Sequence, residues 1–222
     1  MEAEIDGFEE ETEAFLRQVD GGRVFIARSG EITFTPHLVT RSTLLRRTVA
    51  APVLAGLCGD LIGPDVRLYW DQAVYKKPGT TAPFPWHQDN GYTFIEPQQY
   101  LTCWIALTDA TVDNGCPRVV PGLPRHGRLA HHVTELGHGC LPPGTVGEPV
   151  EARAGDVVVF SSLTPHCTGA NTTDSTRKAY IVQYAPDGAE MVLGDRRERV
   201  DDPDRQFPVL AAGRRVPGEP PG

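Results

Sequence analysis

The chain is expected to be mainly β, an antiparallel sandwich or barrel with helices packed outside it, and three observations lead there. From Val66 onward, segments rich in β-branched and aromatic residues recur: VRLYWDQAVYK, YLTCWIALTDA, RVVPG, DVVVFSS and AYIVQYA. Such residues suit a pleated, half-buried surface. Clusters of Gly, Pro, Asn and Asp separate these segments, as turn chemistry requires. The helical patterns precede them, which puts the helices around the sheets rather than between their strands.

In chain order, residues 2–19 combine a Glu run with apolar Ile5, Phe8, Phe15, Leu16 and Val19, a spacing that predicts a short amphipathic helix. Gly21-Gly22 ends it, and VFIA and ITF read as short strands. STLLRRTVAAPVLAGLCGDLIG reads as helix despite Pro52. The stretch from about 123 to 148, rich in Gly, Pro and His, has no period and reads as a long loop. From about 193 dense charge mixes with Pro and Gly, the composition of an arm or lid. The expected organisation is one domain over 1–192 and a charged C-terminal arm over 193–222, with no internal repeat.

The 222 residues, 40% apolar and 23% charged, suffice for one domain with one core. A net charge of -8 and the lack of a long Lys/Arg run argue against nucleic acid and against an anionic membrane surface. A small-molecule partner is expected; the sequence carries no signal for an oligomeric state. The acidic start MEAEIDGFEEETEAF lacks the basic and apolar parts of a secretory signal, and the run VAAPVLAGL is short and broken by Pro, so a cytoplasmic protein is expected. The five cysteines are scattered without a C-x-x-C pair, which reads as reduced, buried thiols.

Trp86-His87-Gln88-Asp89 is the most specific local feature. Residues two apart on an extended strand project to the same face, so the His87 imidazole would lie beside the Asp89 carboxylate. A facial-triad site for Fe(II) takes two His and one carboxylate and leaves three positions open. His166 is the best second histidine, because it follows GDVVVFSS and falls at a strand end or in the turn beyond. Arg177 lies eleven positions further, at the start of the next predicted strand, where an antiparallel return brings it back toward the pocket. Its guanidinium fork matches a carboxylate in bidentate geometry, and Thr168 could donate a hydroxyl to the same carboxylate. Taken alone, His87 and Asp89 could equally be surface or turn residues, and Arg177 half of a surface ion pair. The His126, His131, His132 and His138 group reads as solvated or gating rather than as a second metal site, and His37 as a core histidine rather than a cosubstrate contact. Asn90, Tyr92 and Phe94 follow the first two ligands and are placed either to meet substrate or to pack.

At these residues the chain resembles the phytanoyl-CoA dioxygenase family of Fe(II)- and 2-oxoglutarate-dependent oxygenases. The likeness runs through DVRLYWDQAVYKKPG, PFPWHQDNGYTFIEP, CWIALTDATVDNGCPRVVPG, AGDVVVFSSLTPHCTGAN and TRKAYIVQYAP. It implies a double-stranded β-helix, a jelly-roll or cupin-like barrel with flanking helices. It also implies iron on His87, Asp89 and His166, 2-oxoglutarate held by Arg177 with Thr168, and O2 as oxidant. Gln72 and Trp104 resemble residues lining the cosubstrate pocket; Lys76 and Phe84 are weaker candidates. An intact Asp89 favours oxygen transfer over halogenation, so hydroxylation of a small metabolite with release of succinate and CO2 is the default outcome, with desaturation, ring formation and epimerisation open beside it. Leu123-Pro124 departs from the Ser-His the family commonly has there, and the leading segment is shorter than in the family, which implies a late recorded start or trimmed outer helices. A non-catalytic metal- or ligand-binding barrel is the competing expectation. A cupin-type isomerase or zinc hydrolase would call for His-x-His where this chain has His87 and Asp89.

Overall fold

The computed structural model describes residues 1–98 and 100–218. Three helices come first: α1 (Glu2–Leu16), α2 (Thr43–Val49) and α3 (Pro52–Leu61). The single helix expected over 42–63 is two, because Pro52 lacks the N–H that continuation needs and instead occupies the first turn of α3. Ser42 caps α2, its hydroxyl accepting from the Leu45 N–H at 3.0 Å.

Helix α1 docks by more than its apolar face. Ile5 and Leu16 are buried, but Phe15 is 56% exposed while Glu9 and Glu13 are buried. Glu9 accepts from Thr33 at 2.8 Å and pairs with Lys77; Glu13 accepts from Ser29 at 2.6 Å and from the Gly30 N–H. The acidic run thus ties the helix to the sheet beneath it, since buried carboxylates are tolerated only when paired and hydrogen-bonded.

The principal strands are β1 (Ile32–Pro36), β2 (Val66–Lys76), β3 (Phe84–His87), β4 (Leu101–Ala106), β5 (Pro117–Val119), β6 (Val157–Ser161), β7 (His166–Thr168), β8 (Arg177–Pro186) and β9 (Pro208–Ala211). The major sheet has β1, β2, β8, β4 and β6 as successive antiparallel neighbours. The minor sheet runs from Glu148–Pro149 through β5 and β7 to β3. Period-two alternation sends Tyr75, Tyr180, Val182, Cys103 and Ile105 to the face covered by the helices, where they pack with Ile5, Leu45, Val49 and Leu54. The other face, carrying Val74, Trp104, Ala106 and Ala179, turns toward the minor sheet. This is the expected double-stranded β-helix with flanking helices, and its sheets stay open rather than closing into a hydrogen-bonded barrel.

Three segments differ from expectation. VFIA is the tip of a hairpin rather than a strand: Val24 pairs with Ala27, and Phe25 takes φ 51 in the turn. The 123–148 stretch contains a helical turn, Leu123–His126, and a hairpin joining His132–Thr134 to Gly137–Gly139. From 190 the chain forms a further hairpin, Glu190–Leu193 with Arg196–Arg199, and then β9, where an irregular arm or lid was expected. Strand β9 lies on the same edge of β2 as β1, pairing with Val66 and Arg67 where β1 pairs with residues 72–76. Val209 and Leu210 join the main core, burial that the Arg- and Pro-rich composition around them conceals. Of the tail, residues 219–222 lie outside the described part. Among the described residues no helix is long and apolar enough to cross a membrane, and all five cysteines are free thiols.

Candidate metal and cosubstrate site

His87 closes β3 and His166 opens β7, and the two are register partners in the minor sheet with ring centroids 4.1 Å apart. Gln88 is extended, so the chain carries Asp89 to the same side as His87 before turning through Asp89–Gly91. The ligand atoms of His87, Asp89 and His166 all lie within 4.8 Å of one another. Among the described residues no other such group gathers.

The hydrogen bonds around the three residues define which atoms are free. His87 Nδ1 lies 2.8 Å from the Pro85 carbonyl and His166 Nδ1 3.0 Å from the Thr164 carbonyl. A carbonyl only accepts, so both rings carry the proton on Nδ1 and present a bare Nε2 lone pair. Those nitrogens face Asp89 Oδ1 at 3.9 and 3.6 Å. Burial, then the neighbouring His166, hold His87 well below the ordinary imidazole pKa, so its contact with Asp89 is not an ion pair. Asp89 Oδ2 is occupied by the Thr102 hydroxyl at 2.5 Å, reached across from the major sheet. Two imidazole nitrogens and one carboxylate oxygen therefore converge with no other hydrogen-bond partner among the described residues, the donor set that suits a divalent iron.

Arg177 lies at the start of β8, 1% exposed, with its guanidinium carbon 5.4 Å from the Trp104 ring centroid. Its Nε, Nη1 and Nη2 have no hydrogen-bond partner among the described residues. Burial pulls its pKa down to about 10. A buried fork of unsatisfied donors is costly unless an anion completes it, and a carboxylate does so bidentately. Lys76, its register partner on β2, is also 1% exposed. Its Nζ donates to Thr168 Oγ1 at 3.3 Å and to the Gly169 carbonyl. Burial first, then Arg177, bring the Lys76 pKa down to about 7. Thr168 thus engages Lys76, not Arg177, and the lysine read as a weaker candidate stands at the centre of this end of the site.

A cavity of about 800 Å³ opens beside the triad, with Gln72, Phe84, His87 and Asp89 in its wall; Arg177, Thr168 and Trp104 lie outside that wall. Phe84 sits edge-on to His87, with centroids 5.0 Å apart. Tyr92 also lines the cavity, stacked on His138. Asn90 does not face it: its amide donates to the Ile95 and Gln98 carbonyls and its oxygen accepts from the Ile95 N–H. Phe94 packs beneath Arg128. His37 is half-buried against Trp70, its Nε2 3.2 Å from Arg205, away from the triad.

Three supporting residues carry no motif signal. Gln88, fully buried, donates to the Gly127 and Leu163 carbonyls and accepts from the Leu129 N–H. Asn171 donates to the Lys76 and Ser175 carbonyls, shaping the turn between His166 and Arg177. His131, one of the loop histidines, accepts the Gln88 N–H on Nε2 at 3.1 Å and packs against Gly91, where an added Cβ would lie 2.1 Å from that nitrogen. The signal for Gln88 lay in its place between two ligands, since a strand residue there must point away from the metal.

The family model described as Phytanoyl-CoA dioxygenase (PhyH) matches residues 1–179. A methylphosphonate hydroxylase of Gimesia maris is 30% identical over 169 residues, covering 74% of this chain and 61% of that protein. A 2-aminoethylphosphonate dioxygenase of an uncultured bacterium is 28% identical over 142 residues, covering 60% of this chain and 50% of that protein. The chain thus spans less than two thirds of the length of either relative. Among solved structures, a non-heme alpha ketoglutarate dependent carbocyclase from nogalamycin biosynthesis superposes with TM-score 0.67 at 28% identity, covering 99% of this chain and 86% of that one.

Proposed function

This chain belongs to the phytanoyl-CoA dioxygenase family, and from that membership we propose that it is an Fe(II)- and 2-oxoglutarate-dependent dioxygenase that hydroxylates a small-molecule metabolite. His87, Asp89 and His166 would hold the iron, and Arg177 the distal carboxylate of 2-oxoglutarate. Lys76 and Thr168 stand beside that carboxylate, with Gln72 and Trp104 in the surrounding pocket. When bound, iron and 2-oxoglutarate supply the oxidation of a C–H bond by O2, with succinate and CO2 as co-products.

The observation that carries this reading is the Arg177 guanidinium, buried with all three nitrogens unpartnered. A barrel that merely bound a metal would have no use for it. The residues contribute three things. The backbone carbonyls of Pro85 and Thr164 hold the two imidazoles as acceptor tautomers. Thr102 fixes the Asp89 carboxylate so that one oxygen points inward. The aromatic residues around His87 would, with a substrate seated against them, keep water from the reacting position.

The test is succinate formation from 2-oxoglutarate under Fe(II) and air, with His166→Ala as control. The expected result is uncoupled turnover in the native chain and none in the variant. No turnover with or without substrates would favour the non-catalytic binding barrel. The acidic net charge supports a partner other than nucleic acid, and the free thiols support a cytoplasmic setting.

A further inference from the structure

We infer that the cavity beside the triad takes a largely apolar, ring-containing molecule of drug-like size, and not a small anion. The inference rests on the oxygenase reading, whose substrate class it specifies.

At about 800 Å³ the cavity lies in the upper range of sites that enclose drug-sized ligands. A molecule of a few heavy atoms would leave most of it filled with water. Its wall is aromatic from mouth to floor, with Phe25, Phe34, Trp70, Tyr92 and Phe84 all contributing. Flat rings stack on such surfaces at low entropic cost. Its charge is already spent. Among the described residues Arg41 is the only Lys or Arg side chain in the wall, and it is paired with Glu11 and laid over the Phe8 ring. The buried pair Lys76 and Arg177 lies outside the wall. A phosphonate or other compact anion entering here would lose its water and find no free Lys or Arg side chain among the described lining residues. Among the polar groups in the wall, Gln183 and Thr93 suit hydroxyl or carbonyl substituents on a ring system.

The mouth points the same way. Phe15 on α1 is 56% exposed, and Phe25 at the hairpin tip 64%. Phe25 holds φ 51, a conformation that a bulky residue adopts at a cost. The hairpin is pinned across the opening by Arg23 and Arg28, which both donate to the Glu135 carbonyl, at 2.7 and 2.9 Å. That strained position presents a ring at the cavity entrance, edge-on to Tyr92 at 6.4 Å, where an apolar guest would cover both.

The experiment is calorimetry of the full chain under argon with Fe(II) and 2-oxoglutarate, titrated with 9-anthracenemethanol and, separately, with methylphosphonate. The ring compound is expected to bind and methylphosphonate to give no heat of binding. Phe25→Asn should weaken the ring compound roughly tenfold through lost apolar contact. Asparagine suits the left-handed backbone, so the fold is not at stake, and Phe15→Ser on the opposite rim should act in the same direction. Binding of methylphosphonate, failure of the ring compound to bind, or ring binding indifferent to both variants would each overturn the inference. Succinate formation without any substrate reports separately on the oxygenase reading. Ring binding without succinate leaves this assignment standing and removes the reaction; succinate without ring binding does the reverse.

Discussion

Lys76 and Arg177 stand opposite each other on neighbouring strands, each 1% exposed, and among the described residues no carboxylate pairs with either. A buried guanidinium without a counter-charge, beside a lysine that burial drives toward its neutral form, destabilises the ligand-free fold, and an anion relieves it. Arg177→Met should therefore raise the melting temperature of the ligand-free chain, by about 2–4 °C for each kcal/mol of relief. The same variant should lose the stabilisation that 2-oxoglutarate gives, with affinity falling at least about tenfold. Thermal melts with and without 2-oxoglutarate check both directions at once.

The Lys76 ammonium gives a pH signature. In the folded chain it releases its proton at about 7 rather than 10.5, so between those values the unfolded chain binds more protons and this group makes stability rise with pH. A carboxylate placed beside it restores the charge. Binding of 2-oxoglutarate at pH 8 should then take up close to one proton, and Lys76→Met should abolish the uptake. Calorimetry in buffers of different ionisation enthalpy measures it.

Thr102 reaches from the major sheet to hold Asp89 Oδ2. Partners of a metal-ligating carboxylate typically contribute about 10–100-fold in metal affinity. Thr102→Val, close in shape but without the hydroxyl, is expected to weaken Fe(II) binding by about that factor while circular dichroism stays unchanged. Competition with a chromophoric chelator reads the affinity.

His131 supports the ligand segment from outside by accepting the Gln88 N–H between the two ligands. His131→Phe fills the space but leaves that N–H without its acceptor, and Gly91→Ala drives the ring away because the added Cβ meets it at 2.1 Å. Both variants should loosen iron by a similar factor. Unequal effects would show that the ring acts by some route other than this bond.

The parts of this site legible in the sequence are those written in local spacing. His87 and Asp89 share a strand face by period two, and His166 and Arg177 each border a strand that β-branched residues announce. The roles of Thr102 and His131 were not legible, and for Gln88 only its direction away from the metal was, because their partners lie on other segments of the chain. Asn90, open in the sequence between meeting substrate and packing, takes the second course: its amide closes its own turn instead of facing the cavity. The five long strand segments were plain from composition, while β9 was hidden, since Val209 and Leu210 are an apolar pair too short to stand out among charged and Pro-rich neighbours.

That late strand bears on how the molecule is made. The edge of β2 is covered in part by β1, which precedes it in the chain, and at Val66 and Arg67 by β9, which follows β4, β6 and β8. Until β9 has docked, the chain carries an open sheet edge and an unfilled place in its core, the features that invite pairing with a neighbouring chain. Docking of Val209 and Leu210 is thus a commitment step, and a chain folded without it would be held in its most aggregation-prone form.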